Sequence, residues 1–326
     1  FTTIEPNVGV VAVPDPRLEA LGEVLSPEKS TPATIRFIDI AGLVEGACKG
    51  VGLGNQFLGE IRQVDAVVHV IRCFAKADVA HVFSDVDPVR DADVIDTELM
   101  LADLEVLGRA MENRKRDWQT HPAEHEREKR RMTEWQEALE SGTPLRRLDL
   151  HPRDLKELKA AGLLSGKPVL YVANVAGEGG ESAVSALIER EPGSRLLAVD
   201  VELELELAEL EPEVRAEFMA ELEITETGLA RVVRSAFDLL GLVACYTIAK
   251  SKLQAWEIPR GTPAAAAAGK VHSDMEKGFI RAKVASADEL IEAGDLRVIQ
   301  ERGRVRTVGR DHEICDGDVV EFFFNA

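Results

Sequence analysis

Aromatic residues are scarce: Phe, Trp and Tyr together make up 5% of the 326 residues. A core with so few rings must be built mostly from Val, Leu, Ile and Ala, and an apolar fraction of 45% supplies enough of them. Cysteine is also sparse. Cys48, Cys73, Cys245 and Cys315 form no C-x-x-C pair, which argues against a disulfide framework or a zinc ribbon and points to a reducing, cytoplasmic setting. Long hydrophobic runs are missing. The longest nearly apolar stretch, 239–249, falls far short of the roughly 18 residues of a membrane span, so no membrane is expected. Positive charge is in deficit, with 39 Lys and Arg against 58 Asp and Glu and a net charge of −19. That argues against a broad basic face for DNA and leaves room for a local one. With 25 Gly and 14 Pro the chain is not collagen-like, and its length suggests about two domains of roughly 150 residues, or three if one is small. No signal-peptide pattern opens it, and Phe1-Thr2-Thr3 reads as the middle of a longer chain.

The apolar runs are short and strand-like. Thr34 to Asp39 ends in an acid and is followed by Ala41-Gly42, so it reads as a strand carrying Asp39 at its tip. Ala66 to Ile71, Pro168 to Ala173 and Arg195 to Val199 are three more, separated by helical stretches. Continuous Val/Ile/Leu runs alternating with helices predict a mostly parallel sheet covered on both faces. Between them lies a different texture. Ile95, Leu99, Ala102, Val106 and Ala110 recur at helical spacing, His121-Pro122 interrupts, and a polar helix resumes over 123–139, predicting an antiparallel helical hairpin. Residues 108–131 carry eight basic side chains against five acidic ones, whereas 195–226 carry eleven acids and two bases. The basic stretch is either a solvated helix pair or a contact surface for a polyanion. Glu202 to Leu207 alternates like a strand, yet Glu and Leu favour helix and no turn residue follows, so a helix is expected to begin there. After Gly241 short strands and turns take over: Tyr246–Ile248, Ala255–Ile258, Phe279–Val284, Val305–Val308 and Val319–Phe324, with one short helix over Ala287–Glu292 and a hairpin turn at Asp316-Gly317-Asp318.

The chemistry-bearing residues cluster around Asp39. An acid at a strand tip followed by Gly42 is how P-loop nucleoside triphosphatases build switch II. The acid holds Mg²⁺ and the glycine backbone N–H approaches the γ-phosphate. Upstream, Thr3 precedes an extended Pro-containing segment, as a switch I threonine that ligates Mg²⁺ would. Downstream, Gly50-Val51-Gly52-Leu53-Gly54-Asn55 is a glycine-dense loop that lacks the third Gly of a dinucleotide fingerprint. Asn174 and Val175 follow the strand at 168–173 where guanine-binding relatives carry N-K-x-D. Here the Asp position is Gly177, with Glu178 next, so nothing enforces guanine and adenine becomes admissible. Walker A, G-x-x-x-x-G-K-[ST], is absent from the 326 residues. Gly162 to Pro168 is a near miss with three intervening residues, Pro168 where the hydroxyl belongs, and a strand after it rather than before. His272-Ser273-Asp274 is read as a turn, because adjacent residues cannot form a relay. Cys48 and His69 are read as packing residues.

Taken together, Thr3-Ile4-Glu5-Pro6-Asn7-Val8-Gly9-Val10, Asp39-Ile40-Ala41-Gly42-Leu43-Val44, Gly52 to Leu58, the stretch from Ala268 to Ala282 and Asp316-Gly317-Asp318-Val319 resemble the YchF-type Obg-like ATPases, an Obg-related branch of the P-loop GTPase superfamily. The resemblance runs the length of the chain and is weakest over 112–165. It implies an α/β fold. A P-loop NTPase G domain, discontinuous over 1–90 and 165–240 and with its first strand and P-loop missing, would carry an inserted α-helical coiled-coil hairpin at 91–164. A C-terminal β-grasp (TGS) domain would span 241–326. It also implies a cytosolic, ribosome-associated enzyme that hydrolyses ATP, with GTP possible, using Mg²⁺. Thr3 and Asp39 would serve the metal, Gly42 and Leu43 the catalytic loop, and Asn174, Val175 and Glu178 the base. Leu43 stands where Ras-like enzymes place a water-orienting Gln, and a Leu cannot hydrogen-bond water, which implies a low intrinsic rate or another water-positioning group. Two departures bear on base preference: the acid of the base motif is shifted to Glu178, and Asp200-Val201 replaces the usual Ser-Ala of the later base loop. In the family Walker A lies upstream of the Thr-Ile-Glu-Pro segment, so it is expected ahead of Phe1, and the chain as written is expected to bind nucleotide poorly. The competing reading is a non-catalytic module that binds RNA or protein through the hairpin and the TGS domain. A guanine-specific GTPase is a third, opposed by Gly177.

Overall fold

The computed structural model describes residues 7–40, 53–75, 85–176, 180–249 and 251–325. The chain divides into two compact units, residues 1–7 with 39–228 and residues 8–38 with 229–326.

The chain enters through β1 (Asn7–Ala12), α1 (Pro16–Leu25), β2 (Lys29–Thr31) and β3 (Thr34–Asp39). Asp15 caps α1 by accepting from the Arg17 backbone N–H, Pro16 presets the first helical turn, and Ser26 closes the helix in a left-handed conformation. β1 pairs with β3, so the expected strand at 34–39 is present with those bounds.

The first unit then runs α2 (Leu53–Gln63), β4 (Val67–Arg72), α3 (Pro88–Thr120), α4 (Pro122–Glu140), α5 (Pro152–Ala161), β5 (Val169–Val175), α6 (Gly180–Arg190), β6 (Arg195–Asp200), α7 (Val201–Glu209) and α8 (Pro212–Glu221). β4, β5 and β6 form a parallel sheet in that order. Parallel pairing is what the continuous apolar runs foretold, since such strands are covered on both faces by their crossover helices. Asp87 accepts from the backbone N–H groups of Val89 and Arg90 and starts α3 with Pro88 at its first turn. The break between α3 and α4 falls at His121, where the residue before a proline is pushed out of the helical region. The two helices of the hairpin pack through Leu107, Trp118, Met132, Trp135 and Leu139, and Leu145, Leu158 and Leu163 close the base. The alternating Glu202–Leu207 run is helical, as expected. Asp200 caps α7 by accepting from the backbone N–H groups of Glu202 and Leu203, and Leu207 is its buried residue.

The second unit continues with α9 (Gly228–Leu239), β7 (Leu242–Ala249), β8 (Lys252–Pro259), α10 (Ala264–Val271), α11 (Ser273–Lys277), β9 (Phe279–Ser286), α12 (Ala287–Ala293), α13 (Leu296–Glu301), β10 (Arg306–Val308) and β11 (Asp318–Phe324). Its sheet has the order β10-β9-β11-β7-β8-β2. β2, drawn from the chain's opening segment, pairs parallel to β8. Two expectations are corrected here. The helix at 287–292 is not alone, because α10, α11 and α13 accompany it; an alanine run and a six-residue segment gave little periodicity to read. Asp316-Gly317-Asp318 is a turn but not a hairpin. It leads into β11, while β10 lies on the far side of β9. The Ala-rich α10 lets Ala264, Ala267 and Ala268 sit directly on Val243, Ile258, Ala282 and Val284. Gly278 permits a close approach: a Cβ there would lie 2.0 Å from the Asn325 carbonyl oxygen.

Candidate functional site

Asp39 is the last residue of β3. The next residue, Ile40, is half-buried and packs against the cluster of Leu58, Ile61, Leu99, Ala102 and Leu164. Side chains alternate along extended backbone, so burying Ile40 turns Asp39 the other way. Asp39 is exposed, and its carboxylate has no hydrogen bond or ion pair among the described residues. No cluster of three or more His, Cys, Asp or Glu side chains among those residues could hold a metal by itself. At Asp39 the described residues thus offer a hard carboxylate oxygen, and Mg²⁺, which is held by one or two carboxylates together with substrate phosphates and water, fits a donor of that kind.

Asn174 and Val175 end β5. Asn174 lies opposite Arg72 of β4 and Val199 of β6, and its carbonyl oxygen accepts from the Cys73 backbone N–H at 2.8 Å. Its side-chain amide makes no hydrogen bond among the described residues. Val175 lies opposite Asp200, and a Cβ on Gly180 would come within 2.4 Å of its Cγ1. Gly180 thus lets α6 begin directly against the end of β5. Parallel sheets bind ligands at the carboxyl ends of their strands, and Asn174, Val175 and Asp200 all stand at that edge. The Asp200 carboxylate is engaged in capping α7. Thr3, Gly42, Leu43 and Glu178 lie outside the described residues, as do Cys48 and 50–52; Leu53 and Gly54 open α2.

Sequence reasoning missed what holds this edge. Arg72 ends β4 beside Asn174, with its Nε donating to the Phe74 carbonyl at 3.1 Å and its guanidinium 4.8 Å from the Phe74 ring. Deeper lies a buried ionic cluster. Arg146 Nη2 donates to Asp96 Oδ2 (2.7 Å), the Tyr171 hydroxyl (2.7 Å) and Glu191 Oε2 (3.1 Å), and Arg190 also reaches Asp96. Tyr171 Oη donates to Glu191 at 2.9 Å. Burial alone would raise the Glu191 carboxyl, but Arg147 and Arg146 hold it down at about 2. Burial pushes Tyr171 up to about 12. His69, whose ring centroid lies 5.7 Å from that of Tyr171, is lowered to about 4 chiefly by burial and stays neutral. Its reading as a packing residue therefore fits. Cys73 is pushed up to about 11 by burial, then by Asp91, and is unreactive. The signals for this cluster were there, in Asp96 on an apolar helix face and the Arg190-Glu191 pair, but no spacing rule joins residues so far apart in sequence.

Two further positions explain themselves once folded. Asp103, fully buried in α3, accepts from the backbone N–H groups of Leu164 (2.7 Å) and Ser165 (2.8 Å). Lys167, in the segment resembling a phosphate loop, donates its Nζ to the carbonyls of Val64 (2.5 Å) and Arg62 (3.3 Å) at the end of α2. It is a helix cap, and the segment is no nucleotide cradle. Along the hairpin, Arg109, Arg114, Lys115 and Arg130 pair with Glu105, Glu128, Glu112 and Glu134, and Arg131 with Asp154 and Glu157. Arg116, Arg127 and Lys129 have no acidic partner among the described residues.

Known proteins share this architecture. A family model described as "50S ribosome-binding GTPase" matches residues 1–103, and YchF-GTPase_C, "Protein of unknown function (DUF933)", matches 242–325. The chain is 42% identical to the "Ribosome-binding ATPase YchF" of Escherichia coli O157:H7, over all of its own length and 91% of that protein's. It is 39% identical to the protein of the same name from Bacillus subtilis (strain 168), with the same coverage. The solved Schizosaccharomyces pombe YchF GTPase superposes with a TM-score of 0.87 at 30% identity, covering 98% of this chain and 88% of that one. A P-loop GTPase fold with a parallel sheet, a helical insertion and a C-terminal domain follows, and the chain belongs to the YchF family.

Proposed function

We propose that the chain works as a ribosome-associated, nucleotide-dependent switch of the ATP-hydrolysing kind, with Asp39 as its metal-facing carboxylate. The observation that carries this is Asp39 itself: exposed, without a partner among the described residues and at a strand tip, with its neighbour Ile40 packed against a buried cluster. Thr3 and Asp39 would hold Mg²⁺, which neutralises charge on the β- and γ-phosphates. Gly42 would read the γ-phosphate through its backbone, and Leu43 would leave the attacking water without a side-chain partner. Asn174, Val175 and Glu178 would meet the base. With Gly177 in place of the guanine-reading Asp, ATP is preferred and GTP is tolerated. The C-terminal domain is read as a TGS domain, the setting as cytoplasmic, and ribosomal RNA as the partner of the hairpin, where Arg116, Arg127 and Lys129 have no acidic partner among the described residues.

Because the 326 residues contain no Walker A sequence, Mg–ATP should bind this chain weakly and ATP should outcompete GTP. Titration with a fluorescent ATP analogue in the presence of Mg²⁺ tests both. Tight binding that survives Asp39→Ala would overturn the assignment. Salt-sensitive co-sedimentation with ribosomes should weaken when Arg114, Lys115 and Arg116 are neutralised together. Unchanged sedimentation would count against the hairpin as the contact.

A further inference from the structure

An alternating sequence folded as a helix carries apolar side chains on two sides, because residues two apart on a helix point nearly opposite ways. The run from Val201 to Leu210 is such a case. Leu203, Leu207 and Leu210 share one side of α7, and Leu207 is buried. Beside them Glu204 accepts from the Gly228 backbone N–H at 2.6 Å. Val201, Leu205 and Ala208 lie on the other side, and all three are exposed, Leu205 at 63%. α8 follows after Leu210-Glu211, and none of its residues is buried. Val214, Phe218 and Leu222 recur there at four-residue spacing; Val214 is 50% exposed, Leu222 is exposed and Phe218 is half-buried.

A single exposed leucine is ordinary on a protein surface. Two successive helices that each expose an apolar row are not, and here a row of carboxylates runs beside each. Glu202, Glu206 and Glu209 follow one flank of α7 at helical spacing, and Glu213, Glu217 and Glu221 do the same on α8. Residues 201–221 hold eight acidic side chains and one basic, Arg215, whose Nη2 donates to the Leu210 carbonyl at 3.0 Å. Glu206, Glu209, Glu213, Glu217 and Glu221 are exposed and have no basic partner among the described residues. Like charges one turn apart repel, so these rows destabilise their own helices, and a cationic neighbour would relieve the repulsion. Charge decides what that neighbour is. A second copy of the same face would set carboxylate against carboxylate, and a lipid surface is itself anionic. The complement is a helix with apolar residues at i and i+4 and Lys or Arg beside them.

We propose that the exposed rows of α7 and α8 form a docking surface for a basic amphipathic helix of a partner protein, with its apolar side chains on Leu205 and Val214 and its cations over the flanking glutamates. The surface depends on neither a bound nucleotide nor the helical hairpin, so nucleotide titration and ribosome sedimentation can fail without touching it. A fluorescein-labelled peptide of about 18 residues, built from Leu, Ala and Lys in an amphipathic helical pattern, tests it by fluorescence anisotropy over a range of salt. A scrambled peptide of the same composition is the control. The full chain should bind the patterned peptide more tightly than the scrambled one by about tenfold, and its affinity should fall as salt rises. Leu205→Gln/Val214→Gln should weaken the patterned peptide about tenfold with the salt dependence unchanged. Glu213→Gln/Glu217→Gln/Glu221→Gln should flatten the salt dependence. Circular dichroism melts establish that the variants fold, and the triple variant should melt no lower than the unaltered chain because its repulsion is relieved. Equal affinity for the two peptides would reduce the surface to bulk charge and overturn the proposal, as would the absence of binding or binding that neither variant changes. A dimer in sedimentation velocity that Leu205→Gln dissolves would give the surface to a second copy and overturn it as well.

Discussion

The base and the shaft of the helical hairpin contain the same residue types and use them in opposite ways. Along the shaft, Arg109–Glu105 and Arg130–Glu134 are ion pairs one helical turn apart with all four side chains more than half exposed. At the base, Arg146, Arg190 and Asp96 have side-chain exposures of 8%, 7% and 5%, and Glu191 and Tyr171 complete their hydrogen bonds. Water screens the first set, so each pair contributes little; the second has exchanged water for fixed partners, so removing one leaves another charge stranded. The lesson is that charge counts over 108–131 describe a surface, while the charges that hold the unit together were few, scattered and invisible to counting.

The sharpest way to break the comparison is Arg146→Met. It leaves Asp96 and Glu191 short of a partner and should destabilise the first unit by about 3–5 kcal/mol in urea unfolding. A loss below about 1 kcal/mol would mean that water reaches the cluster. Acid comes next. His69 is neutral when folded, with its proton affinity lowered to about 4, while the unfolded chain titrates near 6.5. The unfolded state therefore binds more protons between these values. This stabilisation is complete above pH 6.5 and is lost as pH falls toward 4. Glu191, held at about 2 against 4.5, adds a second loss between pH 4.5 and 2. His69→Phe should flatten the upper window and leave the lower one, as read by thermal melts against pH; an unchanged profile would show His69 to be solvated. Asp103→Ala orphans two buried N–H groups and should cost about 2–3 kcal/mol. Asp103→Asn, which keeps one acceptor, should cost less. At the other end of the scale, Arg109→Ala or Arg130→Ala should change stability by less than about 0.5 kcal/mol.

Much of the first unit was legible because its signals are local. The runs at 66–71 and 195–199 emerged as β4 and β6, and the His121-Pro122 break separates α3 from α4. The alternating acidic run became α7 because Asp200 caps it, a local signal that outranked periodicity. The second unit was harder. β2 joins a sheet made of residues more than two hundred positions later, and no periodicity announces such a pairing. Ala264 to Ala268 carry no amphipathic pattern, so α10 could be recognised only by what it packs on. At the candidate site, Asp39 and Asn174 were readable as strand-end polar residues. Arg72 was not, because its neighbour in the ladder, Asn174, is supplied by a strand about a hundred residues away.

A nucleotide-dependent switch requires that Asp39 serve a metal–triphosphate. Titrating Mn²⁺–ATP into the chain and following water-proton relaxation reads that directly, because the signal reports the cation itself. Weak enhancement in the unaltered chain that disappears in Asp39→Asn, with the melting temperature unchanged, is the result expected. Enhancement of equal size in both proteins would place the cation elsewhere and leave Asp39 an ordinary surface carboxylate.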